Sequence, residues 1–174
     1  MHLQAGIQTQ SLKKAFDGVG FRHVTSHFMQ NWDVQSVNYT VKHCLQNAND
    51  DGYSLGAQEN FNADTDTVVT PEVKNFDGFT APEKQQVTVE GDGRTTVIYR
   101  YTRNVHTLTL KNYDGKTDKT VEARYEMSIP KPTRAGYAFA GWYTDAKCTK
   151  EYKANMPDQN LTLYANGKQT LSTM

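Results

Sequence analysis

The stretch TTVIYRYTR at residues 95–103 constrains the fold more than any other part of this chain. Thr95, Val97, Tyr99 and Tyr101 fall on one face of an extended backbone. Side chains that repeat with a period of two suit a strand with one face buried and one in water. The same alternation recurs in Val37, Tyr39, Val41 and His43, in His106, Leu108 and Leu110, and in Val121, Ala123, Tyr125 and Met127. Between these runs lie turn formers such as QNANDDG at 46–52, FDGF at 76–79 and NYDG at 112–115. The composition agrees, because Thr occurs 21 times and Leu only 9. β-Branched and aromatic residues favour a pleated, half-buried surface. The expected fold class is therefore mostly β.

Balanced charge narrows the function classes. The 19 basic and 19 acidic residues cancel, whereas a nucleic-acid binder carries a basic surplus or patch. No apolar run approaches the roughly 20 residues that span a bilayer. The N-terminus, MHLQAGIQTQSLKK, lacks the apolar core of a signal peptide, and the chain reads as a fragment of a longer exported protein.

Residues 1–36 read as the tail of an upstream domain, or as a short helix with a linker. His23 and His27 share a helical spacing there, but no acidic third ligand follows and two exposed histidines explain them. From Val37 onward the pattern divides into two tandem units, 37–104 and 105–167, followed by a tail over 168–174. Within the first unit, Tyr53–Leu55 and Thr67–Thr70 read as short strands, and Gly91-Asp92-Gly93 as a hairpin turn. The second unit contains an extended Ile129-Pro130-Lys131-Pro132, an aromatic run GYAFAGWY at 136–143 and a closing strand NLTLYA at 160–165. Residues 38–104 hold 6 basic and 10 acidic residues, and residues 105–166 hold 9 and 7. The units thus carry opposite net charges of −4 and +2. Asn104 and its immediate neighbours are the whole linker, with no Gly/Ser run to make it flexible. Direct continuity and apolar contact should fix an elongated, semi-rigid arrangement, since exposed charges beyond about 10 Å are screened.

The second unit resembles the internalin-type B repeat, also called the Listeria–Bacteroides repeat. The resemblance is carried by Pro130, Pro132, Arg134, Gly136, Tyr137, Phe139, Gly141, Trp142, Tyr143, Leu163, Tyr164 and Ala165. The chain departs from that pattern where Asn166 and Gly167 follow Leu-Tyr-Ala in place of the usual Trp, which leaves open where the last strand ends. The first unit is similar to mucin-binding-protein (MucBP-type) repeats, through YTVKH at 39–43, TPEVKNFDGF at 70–79 and VTVEGDGRTTVIYRYTR at 87–103. Both resemblances imply an α+β, β-grasp-like fold with little helix, in large bacterial surface proteins. They imply a non-catalytic spacer and contact segment of an adhesin at the cell surface. The alternatives are a host glycan- or mucin-binding module, and an accessory part of a larger surface enzyme. The partners to expect are other domains of the same protein, or a host glycoprotein or glycan, with the segment itself monomeric.

The chemistry-bearing residue types form no recognisable site. Cys44 and Cys148 fall in separate units, and a bridge needs Cα atoms within about 7 Å, so no disulfide is expected. No zinc spacing exists, and no cofactor is expected. Asn62, Asp64 and Asp66 alternate like the start of a calcium loop, but Thr67 and Val73 stand where a Gly and a Glu are needed; only a looser, weak site is left open. No serine lies in a nucleophile elbow. Asp50 and Asp51 sit in a loop where solvated carboxylates are the default. A Lys–Asn cross-link cannot be placed from sequence, and Asn38 and Asn160 head glycosylation-type triplets that serve equally as strand residues. Trp142 and Tyr143 fit either a carbohydrate platform or a core. By period two, Tyr137, Phe139, Gly141 and Tyr143 share one face and Ala138, Ala140 and Trp142 the other.

Overall fold

The computed structural model describes residues 34–170 apart from position 114; the reading of residues 1–33, with His23 and His27, lies outside them. Eleven strands follow in chain order: β1 (Ser36–Gln46), β2 (Tyr53–Asp64), β3 (Val68–Val69), β4 (Phe79–Thr80), β5 (Val87–Thr88), β6 (Thr96–Arg103), β7 (Val105–Lys111), β8 (Lys119–Arg124), β9 (Tyr137–Tyr143), β10 (Glu151–Tyr152) and β11 (Leu161–Gln169). They form a first sheet of order β2-β1-β6-β4, a second of order β10-β9-β11-β7-β8, and a small β3-β5 ribbon. In both large sheets the opening hairpin is antiparallel, and the last strand inserts parallel to the first. β9 then pairs antiparallel with β11, as β4 does with β6.

The mostly β expectation holds. The α+β and β-grasp-like expectations find no support, because no helix occurs among the described residues. Extended segments stand where a covering helix would be required. In the first sheet that cover includes Val73 and Phe76, and in the second Met127 and Ile129. Prolines at 71, 130 and 132 restrict these segments to extended backbone.

Each sheet buries its own core. In the first, Tyr39, Val41, Val97, Tyr99 and Tyr101 point inward from β1 and β6, with Val89 closing over them. In the second, Leu108, Leu110, Ala123, Trp142, Met156 and Leu163 do the same. Full burial of side chains such as Leu108, Leu110 and Leu163 contributes roughly 1.5–3 kcal/mol each.

The alternation on β1 also sends His43 into the first core, fully buried. Its Nδ1 lies 2.8 Å from the Tyr101 hydroxyl and its Nε2 3.2 Å from Glu59 Oε2. The backbone N–H of Lys74 donates to the same Tyr101 oxygen at 2.8 Å. That oxygen accepts from Lys74, so its own proton can go to Nδ1 while Nε2–H goes to the carboxylate. Lys74 Nζ, 2.9 Å from Glu59 Oε1, completes the chain. Its hydrogen bond holds the Glu59 carboxyl below the ordinary value, while burial raises the Tyr101 phenol. The Tyr99 hydroxyl donates to Pro71 O at 2.6 Å.

Several local expectations are corrected. β2 runs far beyond Leu55, and Asn62 and Asp64 are strand residues paired with Asn38 and Ser36. Its sequence hid this, because an exposed edge strand needs no apolar alternation. A bulge at Gly56 also breaks its period, with Ala57 opposite His43 and Leu55 opposite Cys44. Gly91-Asp92-Gly93 turns the chain but closes no hairpin, because β5 pairs with β3 and β6 with β1 and β4. β8 ends at Arg124, and Glu126, at φ 60°, turns the chain before Met127. β11 continues through Asn166 and Gly167 to Gln169, four residues past the expected strand at 160–165 and two past the expected unit boundary at 167.

The Tyr101→Phe variant tests the buried network. It strips the Lys74 N–H of its acceptor and His43 Nδ1 of its partner, and unsatisfied buried groups cost about 1–3 kcal/mol. A urea midpoint lowered accordingly is expected, and an unchanged midpoint would show that the network contributes nothing.

Candidate functional site at the junction of the two sheets

Only Asn104 separates β6 from β7. Its backbone N–H donates to Gly78 O at 2.9 Å, and its carbonyl accepts from Tyr125 N at 2.9 Å. Its side-chain oxygen accepts from Thr80 Oγ1 at 3.0 Å, and its Nδ2 donates to both Asp158 oxygens at 3.0 and 3.3 Å. Gly78 and Thr80 flank or belong to β4 of the first sheet, whereas Tyr125 follows β8 and Asp158 lies in the loop before β11 of the second. The linker residue is thus fastened on both sides.

Arg103, with its side chain only 12% exposed, reinforces the joint. Nε donates to Gln46 O at 2.6 Å, and Nη1 to Tyr125 O at 3.1 Å and Glu126 Oε2 at 2.6 Å. Its guanidinium lies 4.6 Å from the Phe79 ring centre and 5.8 Å from that of Tyr125. Delocalised charge and a fork of donors let one arginine do all of this. The Tyr125 ring meets Phe79 edge-on and lies over Gly78. A Cβ on Gly78 would come within 2.1 Å of that ring, and the φ of +77° already favours glycine.

The loop after β1 makes the third contact. Asp50 Oδ1 shapes it by accepting from Asn47 Nδ2 and Gly52 N, and these two bonds hold the Asp50 carboxyl below its ordinary value. Arg124 then donates to Asp50 O and Asp51 Oδ1, each at 2.6 Å, and Ser128 donates to Asn49 Oδ1 through its N and Oγ. Asp50 and Asp51 are exposed, as expected of a loop, and also stand at the junction, which no local pattern marks because Arg124 lies more than seventy residues away. The expectation was chain continuity with apolar contact, and the Gly78–Phe79–Tyr125 packing supplies apolar contact. The rest is hydrogen-bonded and ionic.

Apart from Pro130, the residues that carry the repeat resemblance lie elsewhere, in the core and turns of the second sheet. Trp142 and Leu163 are buried, with Ala165 opposite Trp142 and Tyr164 opposite Tyr143. The expected period-two split on β9 is corrected by a bulge. Gly141 pairs with Asn166 and Phe139 with Gly167, so Ala140 is the extra residue, and Gly141 takes φ 149°. Phe139 and Trp142 therefore reach the same core, their rings 5.2 Å apart and edge-on. Trp142 thus belongs to the core, while Tyr143 is half-buried. Among the described residues the buried Trp142 Nε1 meets no hydrogen-bond partner. Arg134 stacks 3.7 Å above the Tyr137 ring, and with Pro132 they line a shallow groove of about 340 Å³. Gly136, at φ 76°, accepts from Thr170 N, and Pro130 lines a groove beside the joint.

Cys44, on β1, and Cys148, in the turn after β9, are free thiols. Asn160 Oδ1 accepts from Thr107 N at 2.9 Å, and Asn38 stands on β1 opposite Asn62. Among the described residues no three His, Cys, Asp or Glu side chains are grouped to hold a metal ion, and no helix is long and apolar enough to cross a membrane.

Residues 106–166, from β7 to β11, match the Listeria-Bacteroides repeat domain family. Over 75 residues the chain is also 29% identical to a protein of Evansella cellulosilytica named "Putative membrane protein". That match takes in 40% of this chain and 11% of the relative's length.

Two measurements probe the joint. Residual dipolar couplings should fit one alignment tensor across both sheets, and Gly78→Ala should require two, since Tyr125 must leave its place; two tensors in the unaltered chain would disprove a fixed joint. The second variable is pH. Asp158 is held below its ordinary 3.8 by hydrogen bonds from His106, at 2.7 Å, and from Asn104. A lowered carboxylate stabilises fully above the unfolded value and loses that contribution as pH falls through the folded one. The single tensor should therefore persist from neutrality to about pH 4 and split only in stronger acid, whereas splitting near pH 6 would contradict this assignment.

Proposed function

We propose that this chain is a non-catalytic repeat segment of a bacterial cell-surface adhesin, acting as a spacer and protein-contact module. The observation that carries the reading is the one-residue joint, in which every hydrogen-bonding group of Asn104 is engaged by one sheet or the other. A spacer needs its repeats held at a set angle, and a fastened linker supplies that. The family match over residues 106–166 supports a surface-protein repeat, and the likeness of residues 38–104 to MucBP-type repeats fits the same setting. Its partners in this reading are neighbouring domains of the same protein.

One observation favours a second reading, a glycan-binding face. The outer side of the first sheet carries Thr40 between Asn60 and Thr96, and Tyr53 stands there beside Arg100. The exposed Tyr53 ring offers a sugar an apolar face, and the polar row at Thr40 lies six residues further along β1, about 20 Å at the rise of a strand, so an extended glycan would meet both. Glycan-array binding that disappears in Tyr53→Ala would favour this reading over a plain spacer.

Small-angle scattering on the full chain tests the spacer. A compact chain of this length has a radius of gyration of about 16 Å. A clearly larger value is expected, and one near the compact figure would remove the spacer reading.

A further inference from the structure

We propose that the parallel ladder between the first and last strand of each sheet is a shear clamp, by which the chain carries tension along its length. The proposal rests on the spacer reading for its purpose, but its evidence is the strand order alone.

In the first sheet, β1 and β6 pair in parallel over six residues, from Thr40 opposite Thr96 to Leu45 opposite Tyr101. In the second, β7 and β11 pair in parallel over four, from Leu108 opposite Leu161 to Lys111 opposite Tyr164. The chain therefore enters each sheet at one end and leaves it at the other. Tension on the flanking chain pulls two adjacent strands in opposite directions along their own axes. The bonds of a parallel ladder are evenly spaced, so they share such a load and must give way together. A pull across the strands instead opens a ladder one bond at a time.

Two further features fit. The clamping strands are the inner ones in both sheets: β2 and β4 flank the β1–β6 pair, and β8 and β9 flank β7–β11. β2 pairs with β1 along the whole first ladder and β8 with β7 as far as Leu110, which closes that side of each ladder to water; β4 and β9 join β6 and β11 at the ladders' ends, at Thr102–Arg103 and from Tyr164 onward. The cores also oppose sliding. A slip of one residue would turn buried side chains to solvent. A slip of two, about 6.6 Å at the rise of a strand, would take His43 away from the Tyr101 hydroxyl, now 2.8 Å distant. Because Asn104 is the whole linker, tension passes from β6 to β7 without slack.

Optical tweezers on the full chain test the clamp. Handles on the N- and C-termini load the ladders in shear. Handles on non-canonical residues at positions 58 and 80, in edge strands β2 and β4, pull the first sheet across its strands, and positions 122 and 151, in β8 and β10, do so for the second. Cys44 and Cys148 stay untouched. The end-to-end unfolding force should exceed the cross-strand force by about twofold or more in each sheet, because evenly spaced parallel bonds are loaded together. Equal forces in the two directions, or a stronger cross-strand pull, would overturn the clamp. The two sheets give independent trials, so one handle pair that unfolds its sheet leaves the other decisive. A weak end-to-end force with an extended scattering profile would remove the clamp and keep the spacer, whereas a compact profile would remove the spacer whatever the force.

Discussion

Both sheets depend on the pairing of a first strand with a last strand that lies some fifty residues further on. Thr40 meets Thr96, and Leu108 meets Leu161. Such contacts are non-local, so loop-closure entropy must be met before they contribute. The core offsets that cost. Val41, Tyr99 and Tyr101 in one sheet, and Leu108, Leu110 and Leu163 in the other, are fully buried on these very strands. The remaining strands follow from the pair. β2 and β8 cover one flank as hairpins, and β4 and β9 extend the other side where the parallel ladders end. The chain between them has no strand partner of its own in the large sheets and lies as extended cover over the core.

What the sequence disclosed follows this division. The inward faces of β6 and β7 were readable because one side of each is buried and the other wet, which is the condition that writes a period of two. His43 was placed correctly by the same rule, although a histidine there looks out of pattern. β2 was largely invisible, since Gln58, Asn60 and Asn62 face solvent on an edge and carry no apolar signal. On β9 the period was legible but misleading, because the bulge at Ala140 brings Phe139 and Trp142 to one side. Nothing local marks a bulge except a glycine, and Gly141 has a second explanation in the repeat pattern. The small turn at Glu126 was missed for a related reason, because a non-glycine residue at positive φ is uncommon.

The junction shows why linkers are hard to read. Its length was evident, but its chemistry was not. Arg124 and Asp51 lie 73 positions apart, and Asn104 and Asp158 54 apart. Exposed ion pairs such as Arg124–Asp51, with its carboxylate 94% exposed, contribute little to stability. Their value is directional: several weak, oriented bonds around one residue fix an angle that apolar contact would leave loose. The net charges of −4 and +2 expected to help are a coarse shadow of these particular pairs.

The joint also counts residues. On β6 the inward positions are odd, Val97, Tyr99 and Tyr101; on β7 they are even, Leu108 and Leu110. The phase changes across the single residue Asn104, whose four contacts reach into both sheets. One residue more would leave each core able to form, yet carry the linker beyond Gly78 and Asp158 together. One residue fewer would remove the groups that now bond Gly78, Thr80, Tyr125 and Asp158. Chain length at this point is therefore held more strictly than residue identity, and the spacing between repeats becomes a structural quantity, set by number as much as by side chain.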